Sequence, residues 1–168
     1  VVDTAAVDVA RGADPRKVRN EVLRAHLYEA TRESLKLAFR SEGEGVVTAA
    51  NSSLISDGAS AVLMASARAA RADGLKVKAR FRARFAIGSD PTMQLTGVIP
   101  ATRLALAKAG LMIGDLECIE INEAFGTVVL SWAKELKHNM ARVHTSGGAI
   151  AHSGTMGHTG AGMSVIMI

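Results

Sequence analysis

Residues 118–136 read CIEINEAFGTVVLSWAKEL, and two periodicities meet inside them. Cys118, Ile119 and Ile121 make a short apolar run of strand character, and Asn122 and Glu123 interrupt it. Ala124, Phe125, Val128, Val129, Trp132, Ala133 and Leu136 then return at helical spacing. The pattern predicts a strand that ends at a polar pair and is followed by a long amphipathic helix. Open α/β folds place ligands beyond the carboxyl ends of their strands, where Asn122 would stand. Read from the residues alone, Asn122 is a helix cap or a ligand-facing amide, and one geometry permits both.

Upstream, Val46 to Ala50 reads as a short buried strand that runs into Asn51-Ser52-Ser53. A helix is expected from about Gly58 to Ala72, capped by Ser56 or Asp57 and closed by Asp73-Gly74. Val77, Ala79, Phe81, Ala83 and Phe85 alternate with Lys76, Lys78, Arg80, Arg82 and Arg84, the period of a half-buried strand. A helix beginning at Pro100 and ending at Ala109, with Gly110 as its C-cap, comes next. Leu111 to Asp115 is a turn, and Ala141 to Thr145 a further short strand. Gly147-Gly148 is a tight turn that lets backbone approach a ligand or a neighbouring strand. Residues 17–39 mix charged and apolar positions at loosely helical spacing, and His26 and Tyr28 read as packing residues.

The 168 residues suit one domain with a sizeable core, and 48% hydrophobic with 21% charged residues is a globular composition. Aromatics are 4%, so small aliphatic side chains are expected to fill the interior. One cysteine excludes an intrachain disulfide. Five histidines without paired cysteines or HExxH spacing give no metal site. No run reaches the roughly 18 apolar residues of a membrane span, and the first residues have no leader pattern, so a cytoplasmic protein is expected. The net charge of +4 is partly concentrated in the alternating basic residues 76–84. That stripe is a solvated edge or an attractor for a phosphorylated ligand or acidic partner. Nucleic acid is disfavoured, because neither aromatic interleaving nor a reading motif accompanies it.

Four segments carry a family resemblance. Asn122-Glu123-Ala124-Phe125 after an acidic, apolar strand resembles the NEAF motif of the thiolases, the acyl-CoA C-acyltransferases. AANSSLISDGA (49–59), TGVIPATRLALAKAGL (96–111) and SGGAIA (146–151) join it in the family's order and approximate spacing. The resemblance implies a thiolase-like α/β fold with a mixed central sheet and helices on both faces. It implies further that the chain is an incomplete C-terminal half. Residues 1–45 would be a connecting segment, and residues 46–168 a C-terminal-type domain completed by sequence beyond Ile168 or by another chain.

By the same resemblance Asn122 orients a water toward a thioester oxyanion, Ser53 lies near the pantetheine arm of coenzyme A, and Gly148 and Ala149 belong to the coenzyme-binding loop. The family chemistry also needs a nucleophilic cysteine, a histidine that raises its thiolate fraction and a second cysteine that moves the α proton. Cys118 lies where the family places neither cysteine, and it reads as a small buried hydrophobe. Against the family pattern GGAIAxGHPxGxTG, Gly147 to Ala151 match, as do Gly157, Thr159 and Gly160, but Ser153 replaces a glycine. Gly154 and Thr155 replace the histidine and proline, and His144, His152 and His158 lie nearby. Gly154 has no side chain with which to move a proton.

The expected function is therefore a portion or subunit of a thiolase that handles 3-oxoacyl-CoA and coenzyme A and is inactive alone. Its partners would be acyl-CoA and a nucleophile-bearing half or subunit, in a homo- or hetero-oligomer. The alternatives are a non-catalytic acyl-CoA-binding or structural partner subunit, and a subunit of a thiolase-like steroid side-chain lyase.

Overall fold

The computed structural model describes residues 35–41, 43–53, 55–152 and 159–168. Expectations for residues 1–34, including His26 and Tyr28, lie outside the described residues. Among the described residues five α-helices follow in order: α1 Ala67–Ala72, α2 Val98–Ala109, α3 Gly126–Leu136, α4 Ala149–His152 and α5 Thr159–Met167. Short 3-10 turns at Ala49–Asn51, Ile113–Asp115 and Met140–Arg142 lie between them.

The core forms where α3 lies against the segment that precedes it. Ile119, Ile121, Val129, Trp132, Ala133 and Val143 are buried together, and Val98, Ile99, Ile113, Leu116 and Leu136 pack around them. Trp132 is only 1% exposed, so one large ring, rather than small aliphatics alone, fills the centre. Its indole N–H donates to Thr102 Oγ1 at 3.0 Å, and that hydroxyl donates to the Val98 carbonyl at 2.7 Å. The two bonds tie α3 to the first turn of α2. Gly110 ends α2 in the left-handed region at φ 68°, returning its N–H to Ala107 and Leu106, as a glycine after a helix is suited to do. The helix starts two residues earlier than Pro100.

The expected mixed central sheet with helices on both faces is not present. Among the described residues no strand forms, and backbone pairing is limited to three isolated bridges: Leu37 with Thr48, Ser52 with Phe125, and Ile119 with Val143. Each is stopped by what adjoins it. Val143 follows the Met140–Arg142 turn, and His144 takes a positive φ of 54°, so this partner stays extended for one residue. Thr48 runs at once into the Ala49–Asn51 turn, and Phe125 is already the N-cap of α3. A ladder needs successive backbone groups on both sides, and none of these neighbours supplies a second pair.

The alternating segment 76–85 shows the same limit more plainly. Val77 is 66% and Phe81 69% exposed, so the period-two pattern has no face to bury. Phe85 is steadied by the Lys108 ammonium, 5.2 Å from its ring centre. The helix expected from Gly58 forms only from Ala67. Ser66, not Ser56 or Asp57, caps it by accepting from the Ala69 N–H at 3.1 Å.

Candidate functional site

Around Ile119 the chain shows two faces. Ile119 and Ile121 point into the core, and the alternate residues Cys118 and Glu120 point to the other side, where a polar seam joins them to residues 144–145. Cys118 Sγ lies 3.5 Å from Thr145 Oγ1, and Glu120 Oε2 lies 3.0 Å from His144 Nδ1. The backbone holds this register: the Ile119 N–H donates to the Arg142 carbonyl and the His144 N–H to the Ile119 carbonyl, both at 2.9 Å. Arg142 also donates to the carbonyls of Leu116 and Gly114 at 2.9 and 3.2 Å, fastening the approach to the seam.

Beyond His144 the chain turns sharply. The Gly147 N–H returns to the His144 carbonyl at 2.8 Å, with Gly147 at φ 90°, where a Cβ would be strained. Gly148 is needed for a different reason. A Cβ there would collide with the Glu123 carboxylate and stand 3.2 Å from His144 Cδ2. The Glu123 carboxylate accepts from the Ile150 N–H at 3.2 Å, which links the tetrapeptide 122–125 to the 146–151 motif.

The third motif segment arrives from upstream. The Ser53 N–H donates to the Ala124 carbonyl at 2.9 Å beside the Ser52–Phe125 bridge. A Cβ at Gly126 would be in ordinary contact with Ile150 Cδ1 at 3.6 Å and the Asn51 carbonyl at 3.8 Å. Segments 49–53, 122–126 and 146–151 therefore meet around Gly126. Asn51 and Ser52 serve their own turn: Asn51 accepts from the Thr48 N–H at 2.9 Å and donates to the Val46 carbonyl at 2.7 Å, and Ser52 donates to the Thr48 carbonyl at 2.6 Å.

Of the residues singled out from sequence, Asn122 is exposed and precedes the N-cap of α3 by three residues, so it is not that helix's cap. Ser53, Gly148 and Ala149 are half-buried. Gly154, with Thr155 and His158, lies outside the described residues. The sequence alone assigns no role to Glu120 or Glu123. The alternation of Cys118, Glu120 and Asn122 against Ile119 and Ile121 was the signal that could have placed Glu120 opposite the core. Among the described residues no group of three His, Cys, Asp or Glu side chains could hold a metal ion. No described helix is long and apolar enough to cross a membrane.

Comparisons with known proteins identify the family. Residues 75–168 match the thiolase C-terminal domain, and residues 7–68 match the thiolase N-terminal domain. A steroid 3-ketoacyl-CoA thiolase of Mycobacterium tuberculosis is 52% identical over 124 residues, 74% of this chain and 30% of that protein. A 3-ketoacyl-CoA thiolase of Pectobacterium carotovorum is 40% identical over 171 residues, which cover 100% of this chain and 44% of that protein. The crystal structure of human mitochondrial 3-ketoacyl-CoA thiolase superposes on 80% of this chain and 34% of its own, with a TM-score of 0.75 and 34% identity. The chain belongs to the thiolase family. It spans 30% to 44% of the length of these curated relatives.

The N-terminal match corrects the expectation of a C-terminal half alone, because both domain types are represented. The Asn51-Ser52-Ser53 turn belongs to the N-terminal match, and Asn122 and Gly148 to the C-terminal one. The junction around Gly126 thus joins backbone from both, a relation that the order of motifs along the chain does not reveal.

Proposed function

We propose that this chain contributes part of the thioester-binding groove of an acyl-CoA C-acyltransferase that handles a 3-oxoacyl-CoA and free coenzyme A. The observation that carries the reading is the Ser53 N–H to Ala124 carbonyl bond, which sets the Ser53 turn beside the Asn122 tetrapeptide. In this reading the exposed Asn122 amide orients a water toward the thioester oxyanion, an electrostatic role that a fixed dipole performs without reorganisation. Ser53 flanks the pantetheine arm, and the Gly148–Ala149 backbone lines the coenzyme.

The nucleophile comes from a cysteine other than Cys118. The Cys118 thiol is engaged with Thr145 on the seam, and it is the one cysteine in these 168 residues. The chain is inactive alone and works with a nucleophile-bearing partner in an oligomer, in the cytoplasm. Attack by the partner's thiolate on the 3-oxo carbon would cleave the carbon–carbon bond, form an acyl-thioester on the partner and leave acetyl-CoA as its enolate for protonation. The residues here bind and orient; they do not attack.

A thiolysis assay with a 3-oxoacyl-CoA and coenzyme A each at about 1 mM, the upper end of usual Michaelis constants, tests the reading. No turnover is expected from the chain alone, and calorimetry should show it binding coenzyme A. Turnover by the isolated chain that survives Cys118→Ala would overturn the inactive assignment.

A second reading is a non-catalytic acyl-CoA-binding partner subunit, favoured by glycine at the motif histidine position Gly154. Coenzyme binding without any rate gain in the presence of a nucleophile-bearing chain would select it. The 52% identity to a steroid thiolase makes a steroid-derived 3-oxoacyl-CoA the first bulky substrate to try. The same substrate offered for side-chain lysis tests the steroid lyase alternative.

A further inference from the structure

We infer that His144, held by Glu120, is the positioning residue for the Gly147–Ile150 turn, and through it for a coenzyme A thioester. The ligand half of this statement rests on the function proposed above; the geometric half stands on its own. Both side chains are deeply buried, His144 at 9% and Glu120 at 3% exposed, and Nδ1 and Oε2 are 3.0 Å apart. Taking two such polar side chains out of water is costly, and a single contact does not readily return that cost. Among the described residues, two further buried atoms of the pair, Glu120 Oε1 and His144 Nε2, have no hydrogen-bond partner. A pair kept for stability alone would be expected to have these satisfied or replaced by apolar groups.

The pair's placement shows what it acts on. His144 is a non-glycine residue at φ 54°, pinned by its N–H to Ile119 and by its carbonyl to the Gly147 N–H. Its ring carbon Cδ2 is turned to Gly148, at 3.2 Å from where a Cβ would lie. The Glu123 carboxylate shares that face of Gly148 and accepts from the Ile150 N–H. The turn therefore packs its bare Gly148 face against an imidazole and a carboxylate together, and Glu120 holds the imidazole through Nδ1. Neither glutamate nor His144 needs to touch the ligand for this to matter, because displacing a binding backbone by about 1 Å can cost 10²-fold in rate.

The test is the paired replacement Glu120→Met with His144→Leu in the full chain, which removes both buried polar groups at similar volume. Such a swap is often neutral or stabilising for the fold. The inference expects the fold to persist, read by the fluorescence of the buried Trp132. Amide exchange at Gly148, Ala149 and Ile150 should speed up about tenfold, with coenzyme A affinity falling by a similar factor, the worth of about one hydrogen bond. Unchanged exchange at those three amides would overturn it. If the wild-type chain does not bind coenzyme A, the proposed function fails while the exchange comparison still decides the role of His144. Should the paired variant not fold, His144→Asn and His144→Ala decide. Slow exchange in the asparagine variant, which keeps a donor for Glu120, with fast exchange in the alanine variant supports the inference, and equal rates in the two overturn it.

Discussion

Gly148 shows how one residue's lack of a side chain can organise several others. The space its Cβ would fill holds the Glu123 carboxylate, and that carboxylate is the acceptor for Ile150 N–H. Gly148→Ala should therefore free a half-buried amide and carboxylate together, a loss of about 1–3 kcal/mol. Urea denaturation followed at Trp132 would measure it, and an unchanged midpoint would show that Glu123 can move aside without cost. Thr102 offers a parallel case away from the site. Replacing it with valine keeps the shape but leaves the 1% exposed indole without its acceptor. A similar loss of about 1–3 kcal/mol is expected, with the same readout. Asp90 is different because it is fully exposed: the Met93 and Thr92 amides donate to its carboxylate at 3.0 and 2.7 Å, and its pKa is lowered from the ordinary 3.8. A depressed carboxylate stabilises its turn above the unfolded pKa and loses that effect as pH falls through the native value. Amide shifts of Thr92 and Met93 should titrate below pH 3.8, and a midpoint at or above it would contradict the assignment.

Among the elements, α3 and the segment 76–85 stand at opposite ends of one scale. α3 buries Val129, Trp132 and Ala133 against Ile119, Ile121 and Val143, so its sequence periodicity has a surface to meet. Segment 76–85 has an equally regular pattern, but Val77 and Phe81 remain exposed and no described backbone pairs with it. Trypsin should cut after Arg80, Arg82 or Arg84 before any site in α2 or α3, as digestion followed by mass measurement would show. First cleavage at Arg103 or Lys134 would mean that the extended segment is protected in solution. The ion pair between Arg103 and Glu135 does not bear on this order. At 3.5 Å with both side chains more than half exposed, it is screened by water and adds little.

At the scale of the whole molecule, the relevant fact is that backbone from both thiolase domain types meets at Gly126. The proposed coenzyme binding should depend on the two together. Gly126→Val, which crowds Ile150 and the Asn51 carbonyl, should weaken coenzyme A binding at least as much as a change at Ser53 alone. Calorimetry on the two variants compares them, and equal binding by wild type and Gly126→Val would separate the ligand from this junction.

Much of this was legible in the residues themselves. The heptad-like return of Val129, Trp132, Ala133 and Leu136 marked α3, Gly110 marked the end of α2, and the motifs at 49–59, 96–111, 122–125 and 146–151 marked the family, because local periodicity, a left-handed cap and short motifs are properties of neighbouring residues. The sheet was not legible in that way. An alternating segment such as 76–85 states a preference for extended backbone, but a strand exists only when a second row of donors and acceptors lies beside it, and His144, the Ala49–Asn51 turn and the start of α3 each withdraw that row after one residue. The Glu120–His144 pair and the Glu123 carboxylate over Gly148 also belong to the tertiary structure, since they join positions more than twenty residues apart whose contact depends on where the Ile119–Val143 bridge sets the register.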